Sequence, residues 1–173
     1  MLFRSAKEAG ASKIISVARG TASDRLRLEF AKKLGADHTI DVESEDLLET
    51  LADITGGHMA DLVVDCTGSE QGIANAFRIA RKCGRVILGG QIKKKMSEFD
   101  VDRVIGNFLT VRGMRGHSYQ AVELAMQLIH RNAHNIRDMS SDVFGLGEVD
   151  LAIKTIAGRA EKPALHCSVD PWR

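Results

Sequence analysis

Leu62-Val63-Val64-Asp65-Cys66-Thr67-Gly68-Ser69, followed by Ile73, Ala76, Phe77 and Ala80 and then by Gly84-Arg85-Val86-Ile87-Leu88, reads as strand, helix, strand. The first run is short, β-branched and closed by Asp65, the pattern of a strand buried on both faces. Ser69 is positioned to open a helix, because its hydroxyl can accept from backbone N–H groups that the first turn leaves unpaired. The apolar spacing that follows keeps to one face of a 3.6-residue period, and Gly84 is expected to end the helix. Val86-Ile87-Leu88 is then the next strand. A helical crossover brings the chain back to the same edge of the sheet, so the two strands run parallel.

The same alternation extends in both directions. Ile14-Ile15-Ser16-Val17, His38-Thr39-Ile40-Asp41-Val42 and Leu109-Thr110-Val111 read as further buried strands. Asp24 is expected to cap a helix that carries Leu26, Phe30, Ala31 and Leu34 and stops at Gly35. Ser44-Glu45-Asp46-Leu47 opens another, with Leu47, Leu48, Leu51 and Ile54 on one face and Gly56-Gly57 at its end. Tyr119 to Arg131 forms a fourth, with Val122, Leu124, Ala125, Leu128 and Ile129 as its apolar set. Strand and helix in regular alternation predict an α/β fold with a doubly wound parallel sheet. Toward the C-terminus the alternation breaks. Ser141 to Leu146 and Ala164 to Val169 read as extended and Val149 to Ile156 as helical, either an appendix to the sheet or part of a second domain.

Composition sets limits on function. The 173 residues carry 24 Lys plus Arg against 23 Asp plus Glu, and that balance gives no reason to expect nucleic acid or an anionic membrane as partner. No apolar run approaches the roughly 20 residues of a membrane-spanning helix, and the first residues hold no apolar signal core. Cys66, Cys83 and Cys167 are odd in number and widely spaced, which fits reduced thiols in a cytoplasmic protein better than a disulfide frame. Lys93-Lys94-Lys95 reads as a solvated turn. His130 and His134 share a helical spacing, but no third ligand lies within reach and Asn132 and Asn135 mark the helix end. His166 and Cys167 alternate along a strand and point to opposite faces, so they cannot share a metal. Cys66 has no His or Asn partner placed by any motif and reads as a small buried hydrophobe, not a catalytic thiol.

Four segments, taken in order, carry a resemblance. They are Ala6-Lys7-Glu8-Ala9-Gly10-Ala11-Ser12-Lys13-Ile14-Ile15-Ser16-Val17, Ala31-Lys32-Lys33-Leu34-Gly35-Ala36-Asp37-His38-Thr39-Ile40, Asp61-Leu62-Val63-Val64-Asp65-Cys66-Thr67-Gly68 and Gly84-Arg85-Val86-Ile87-Leu88-Gly89-Gly90. In this order and spacing the chain, from about Ser5 to Val169, resembles the cofactor-binding half of the zinc-dependent, medium-chain alcohol and polyol dehydrogenases. The resemblance implies a Rossmann-like domain over residues 1–140 and a segment, 141–173, that in the family returns to the catalytic domain. It also implies a missing element. Family members begin with a strand and a Gly-x-Gly-x-x-Gly turn that receives the pyrophosphate at a helix N-terminus. Met1 to Ser5 contain no glycine, and Ala6 to Gly10 resembles the end of the helix that follows such a turn. The expected fold is therefore a doubly wound sheet lacking its first strand and glycine-rich loop, with the gap between the Ile14 and Leu62 strands.

Site residues follow from the same resemblance. The loop after the Ile14 strand, Ala18-Arg19-Gly20-Thr21-Ala22-Ser23-Asp24, sits where the family reads the adenosine ribose. No carboxylate directly follows the strand, and Arg19 with Thr21 and Ser23 suits a 2′-phosphate, so NADP is favoured over NAD. Cys66, Thr67 and Gly68 are implied to line the cofactor cleft with their backbone. Leu88, Gly89 and Gly90 are implied to pack against the nicotinamide ring, and the backbone of Met114 and Gly116 to bind its carboxamide. The family's zinc belongs to the catalytic domain, which this chain does not contain, so no metal or catalytic residue is assigned here. The expected role is the NAD(P)(H)-binding half of an oxidoreductase that moves a hydride between nicotinamide and a small alcohol or carbonyl, inactive as an isolated chain. Two other readings stand beside it. One is a zinc-free enone or quinone reductase of the same superfamily. The other is a non-catalytic module that self-associates through the edge strand Leu109–Gly113, the strand through which family members form homo-oligomers.

Overall fold

The computed structural model describes residues 2–93, 96, 99–131, 142–162 and 164–173. Lys94, Lys95, Asn132, His134, Asn135 and Ser141, which bear on readings above, lie outside the described residues. The chain divides into two compact units, Met1–Glu45 with Ser118–Arg173, and Asp46–His117.

In the first unit, helix α1 (Leu2–Glu8) leads to strand β1 (Ile15–Ala18), helix α2 (Ala22–Lys33) and strand β2 (His38–Asp41). The strands are parallel, with Ile15 opposite His38 and Val17 opposite Ile40. The α2 face that meets them is Leu28, Ala31 and Leu34, all buried, while Leu26 and Phe30 are half-buried. Ile14, Ala31 and Ala36 form a small core with Phe3, Ala6 and Ala11 packed on it. Asp37 ties this core together, since its Oδ2 accepts from Ile14 N at 2.7 Å and Lys7 Nζ lies 3.5 Å from its Oδ1. The Ile14 backbone hydrogen bond, and after it the Lys7 charge, hold the Asp37 carboxyl below its usual range. Thr21, not Asp24, caps α2: its Oγ1 accepts from Asp24 N at 3.2 Å, which leaves Asp24 inside the first turn.

Later in the same unit come helix α6 (Tyr119–Arg131), strand β6 (Asp142–Gly145), a 3-10 turn (Leu146–Glu148), helix α7 (Val149–Ile156) and strand β7 (Cys167–Asp170). α6 covers the predicted span, but only Leu128 of its apolar set is buried, and Val122 and Leu124 are exposed. β6 and β7 pair with each other in parallel, Asp142 opposite Cys167, so among the described residues they are no appendix to another sheet.

The second unit holds helix α3 (Leu47–Thr55), strand β3 (Ala60–Asp65), helix α4 (Glu70–Ile79), strand β4 (Ala80–Leu88), helix α5 (Val101–Gly106) and strand β5 (Thr110–Gly113). The parallel sheet has the order β3-β4-β5. Its core joins Ile73, Ala76, Phe77 and Ala80 to Val86, with Val63, Leu88, Val104 and Leu109 alongside. Phe77 meets Phe99 edge to face at 5.2 Å. Ser69 caps α4 as expected, its Oγ accepting from Gly72 N at 3.0 Å. The end of α4 differs from the expectation. Ala80 is already extended at ψ 131°, so Gly84 lies inside β4 instead of stopping the helix.

Among the described residues the strands form three ladders, β1-β2, β3-β4-β5 and β6-β7, and the break between the first two falls where the gap between the Ile14 and Leu62 strands was expected. Burial is less complete than the apolar runs imply. Leu62 on β3 is 49% exposed, and all four residues of β5 are exposed. Each of those strands pairs with β4 alone, and an edge strand keeps one side free of partners.

Candidate cofactor site

The C-terminal ends of β3, β4 and β5 converge on a cluster of glycines. Asp65 O, at the end of β3, accepts from Gly89 N at 2.8 Å and Gly90 N at 3.2 Å, and Leu88 O accepts from Met114 N at 2.9 Å. The approach is so close that side chains are excluded. A Cβ on Gly90 would stand 2.1 Å from Gly68 N, and one on Gly68, itself at φ +62°, would stand 2.7 Å from Gln91 O. Cys66, Thr67, Gly68, Leu88, Gly89, Gly90 and Met114 are thereby gathered at one edge. Beside them, Gly89, Gln91, Met114 and Gly116 line an open cleft of about 410 Å³, a volume within the range of small-molecule sites.

Polar groups beneath this edge are fixed by a short network. Thr67 Oγ1 donates to Asp65 Oδ1 at 2.7 Å and accepts from Ser69 N at 3.2 Å, and Thr67 N donates to the same Asp65 oxygen at 3.2 Å. Asp65 is buried, and its Oδ2 has no hydrogen-bond partner among the described residues, although buried polar atoms are nearly always paired. Cys66 differs from its expected burial: it is exposed, because the chain turns outward immediately after Asp65. Partial desolvation, and then the Asp65 carboxylate, push its thiol pKa up, which removes it further from a nucleophile's role.

Ala18, the last residue of β1, and Arg19 and Thr21, on the loop from β1 to α2, lie in the other unit. Arg19 is exposed and forms no ion pair among the described residues. Thr21 is engaged as the α2 cap and its hydroxyl donates to Asp24 Oδ2 at 2.6 Å. Sequence reasoning missed the strongest feature of this loop. Gly20 is buried against two carboxylates: a Cβ there would stand 2.7 Å from Asp41 Oδ2 and 2.9 Å from Glu43 Oε2. Asp41 Oδ1 also accepts from Glu43 N at 3.0 Å, and Arg25 Nε stands 3.8 Å from its Oδ2. Gly20 was the only local sign, a small residue in a loop otherwise read for its cation.

No group of three or more His, Cys, Asp or Glu among the described residues could hold a metal ion. The described residues also contain no helix long and apolar enough to cross a membrane.

The profile of the zinc-binding dehydrogenase family matches residues 1–131, and the chain belongs to that family. It is 33% identical over 147 residues, 85% of its length, to a D-arabitol-phosphate dehydrogenase of Enterococcus avium. Among solved structures, an alcohol dehydrogenase from Thermotoga maritima superposes with a TM-score of 0.84 at 20% identity over 97% of the chain. A candidate zinc-binding dehydrogenase from Sinorhizobium meliloti, solved bound to NADP, gives 0.76 at 22% identity over 96%. Those likenesses establish a Rossmann-type α/β fold. The chain spans 41%, 46% and 47% of the three proteins, less than half of each.

Proposed function

We propose that the chain is the NAD(P)(H)-binding half of an alcohol or polyol dehydrogenase. The observation that carries this reading is the convergence of Gly68, Gly89, Gly90 and Met114 beside an open cleft at the C-terminal edge of β3-β4-β5. Ligands of open α/β sheets bind outside that edge. In this reading Leu88, Gly89 and Gly90 lie along the nicotinamide ring, the backbone of Met114 and Gly116 meets its carboxamide, and Cys66, Thr67 and Gly68 line the cleft. The nicotinamide, when bound, accepts or gives a hydride. The substrate would be a small alcohol or carbonyl compound, in keeping with the names of the relatives, and zinc would be held by residues this chain does not supply. Residues 141–173 would serve as the segment that returns to a catalytic domain. The chain's three cysteines, Cys66, Cys83 and Cys167, are free thiols and support a cytoplasmic setting.

NADP is favoured by Arg19, a free guanidinium at the ribose-reading loop. NAD is a second reading with its own support, since Asp41 and Glu43 crowd the same loop and would repel a 2′-phosphate. Calorimetric titration of the chain with NADPH and NADH tests both. Binding of either supports the cofactor role, with NADPH the tighter ligand if Arg19 decides and NADH if the carboxylates do. No heat with either cofactor removes the reading for this chain. Self-association is supported by β5, whose four residues are exposed and which pairs on one side only. Sedimentation should then show a dimer that Val111→Lys reduces to monomer, whereas a wild-type monomer at high concentration argues against it.

A further inference from the structure

A second and larger cleft lies within residues 46–117, where β3 and β4 begin, away from the glycine cluster. It encloses about 660 Å³, and its lining includes His58, Arg78, Arg81, Lys82 and Arg103 but no carboxylate. Such a concentration of cations in a chain with a net charge of +1 is local, not a reflection of the whole surface.

Two of the guanidinium groups are held by the fold itself. Arg103 Nε donates to Phe77 O at 3.0 Å and its Nη2 to Arg78 O at 2.9 Å, which ties α5 to the end of α4. Arg81 Nε donates to Asp61 Oδ1 at 2.5 Å and its Nη1 to Lys82 O at 2.8 Å. A guanidinium has five N–H donors, so each keeps several after these bonds. Being tethered, they lose little side-chain freedom when they meet an anion. The other two cations are uncommitted to carboxylates. Arg78 has no ion-pair partner among the described residues, and Lys82 Nζ stands 5.6 Å from the centre of the Phe108 ring. Asp61 is outside the lining, largely exposed and already paired with Arg81.

The backbone around the cleft is unusual as well. Four described non-glycine residues have positive φ, and three of them, Met59 at 62°, Cys83 at 58° and Phe108 at 51°, line the cleft or directly follow a lining residue. Left-handed backbone at a non-glycine residue costs energy and concentrates at functional sites. Compact, multiply charged anions are what several guanidiniums in one small cavity recognise, because the planar fork matches phosphate oxygens.

We propose that this cleft binds a small phosphorylated metabolite, its phosphate held by Arg78 and Lys82 beside the tethered guanidiniums of Arg81 and Arg103. The site is independent of the nicotinamide reading.

Calorimetric titration of the 173-residue chain with inorganic pyrophosphate is the test. Saturable binding is expected, weakened about tenfold in Arg78→Ala and in Lys82→Ala, and unchanged in Lys32→Ala. Amide resonances of Met59 and Asn107 should shift during the titration. Both replaced side chains are exposed, and circular dichroism confirms that the variants remain folded; Arg78→Gln serves if Arg78→Ala does not. Absence of binding, or affinity in the Arg78 and Lys82 variants equal to that of the parent, overturns the proposal. Tighter binding at these amides by a polyglutamate peptide or a single-stranded oligonucleotide also overturns it.

Discussion

Gly68 and Gly90 meet backbone to backbone, and neither has a side chain that could yield. A Cβ on Gly90 would lie 2.1 Å from Gly68 N, 2.7 Å from its Cα and 2.9 Å from Cys66 C, so alanine there must push the β3 and β4 loops apart. That movement also strains the Gly89 and Gly90 hydrogen bonds to Asp65 O. Gly90→Ala should therefore destabilise the chain by about 1–3 kcal/mol, the usual cost of overpacking, and weaken nicotinamide cofactor binding in parallel. Gly106→Ala, with open space around its Cβ position at the end of α5, is the control expected to leave cofactor binding unchanged and stability no lower. Urea unfolding of both variants decides: a Gly90→Ala midpoint equal to that of the parent would mean that the loops do not approach this closely. Gly89 and Gly90 were readable in the sequence because a glycine pair at a strand end is a local signal. Gly20 was not, because what makes it necessary is Asp41, twenty-one residues later. A contact of that kind depends on the pairing of β1 with β2, which no local pattern encodes.

Elements were legible in their middles and less so at their ends. A periodic apolar face requires several residues and averages over errors, so α3, α6 and α7 fall where the 3.6-residue period puts them. Termini turn on single hydrogen bonds. At α2 both Thr21 and Asp24 are good cap residues, and the choice falls to Thr21 because only its backbone is extended at φ −63°, ψ 154°. At the α4–β4 junction, Ala80 continues the helical apolar pattern, yet the chain extends there, and its side chain fills the same core from a strand. The short helix α5 gave no periodic signal of its own. The α2 cap yields a quantitative expectation. Thr21→Ala should cost about 0.5–2 kcal/mol, since it frees Asp24 N, whereas Asp24→Asn should cost less, because an amide oxygen can still accept from the Thr21 hydroxyl and only a first-turn charge with its Arg27 pair is lost. Thermal unfolding of the pair checks it, and a larger loss from Asp24→Asn would return the cap to Asp24.

At the scale of the whole molecule, strand pairing was the least readable property. Apolar runs announce that a strand exists, but the partner depends on which edges are available: among the described residues the break between β1-β2 and β3-β4-β5 falls at the expected gap, whereas the pairing of β6 with β7 had no local sign. Stability should be distributed accordingly. β4 is the one described strand with a neighbour on each side, and it carries Val86, which is fully buried. β1, β2, β6 and β7 each belong to a two-stranded ladder, an arrangement that is marginal without strong packing. Amides on a strand bonded at both edges exchange only when most of the local structure opens, while those of a two-stranded ladder exchange through smaller fluctuations. Native-state hydrogen exchange should therefore rank the amides of Val86 and Ile87 as the slowest and those of β6 and β7 among the fastest of the strand residues. β2 should lie between, because Ile40 is fully buried even though its ladder has only two strands. Equal protection across all three ladders would mean that the open edges of β1, β3 and β5 are covered in solution, and the exposed face of β5 would be the first place to look for the partner that covers them.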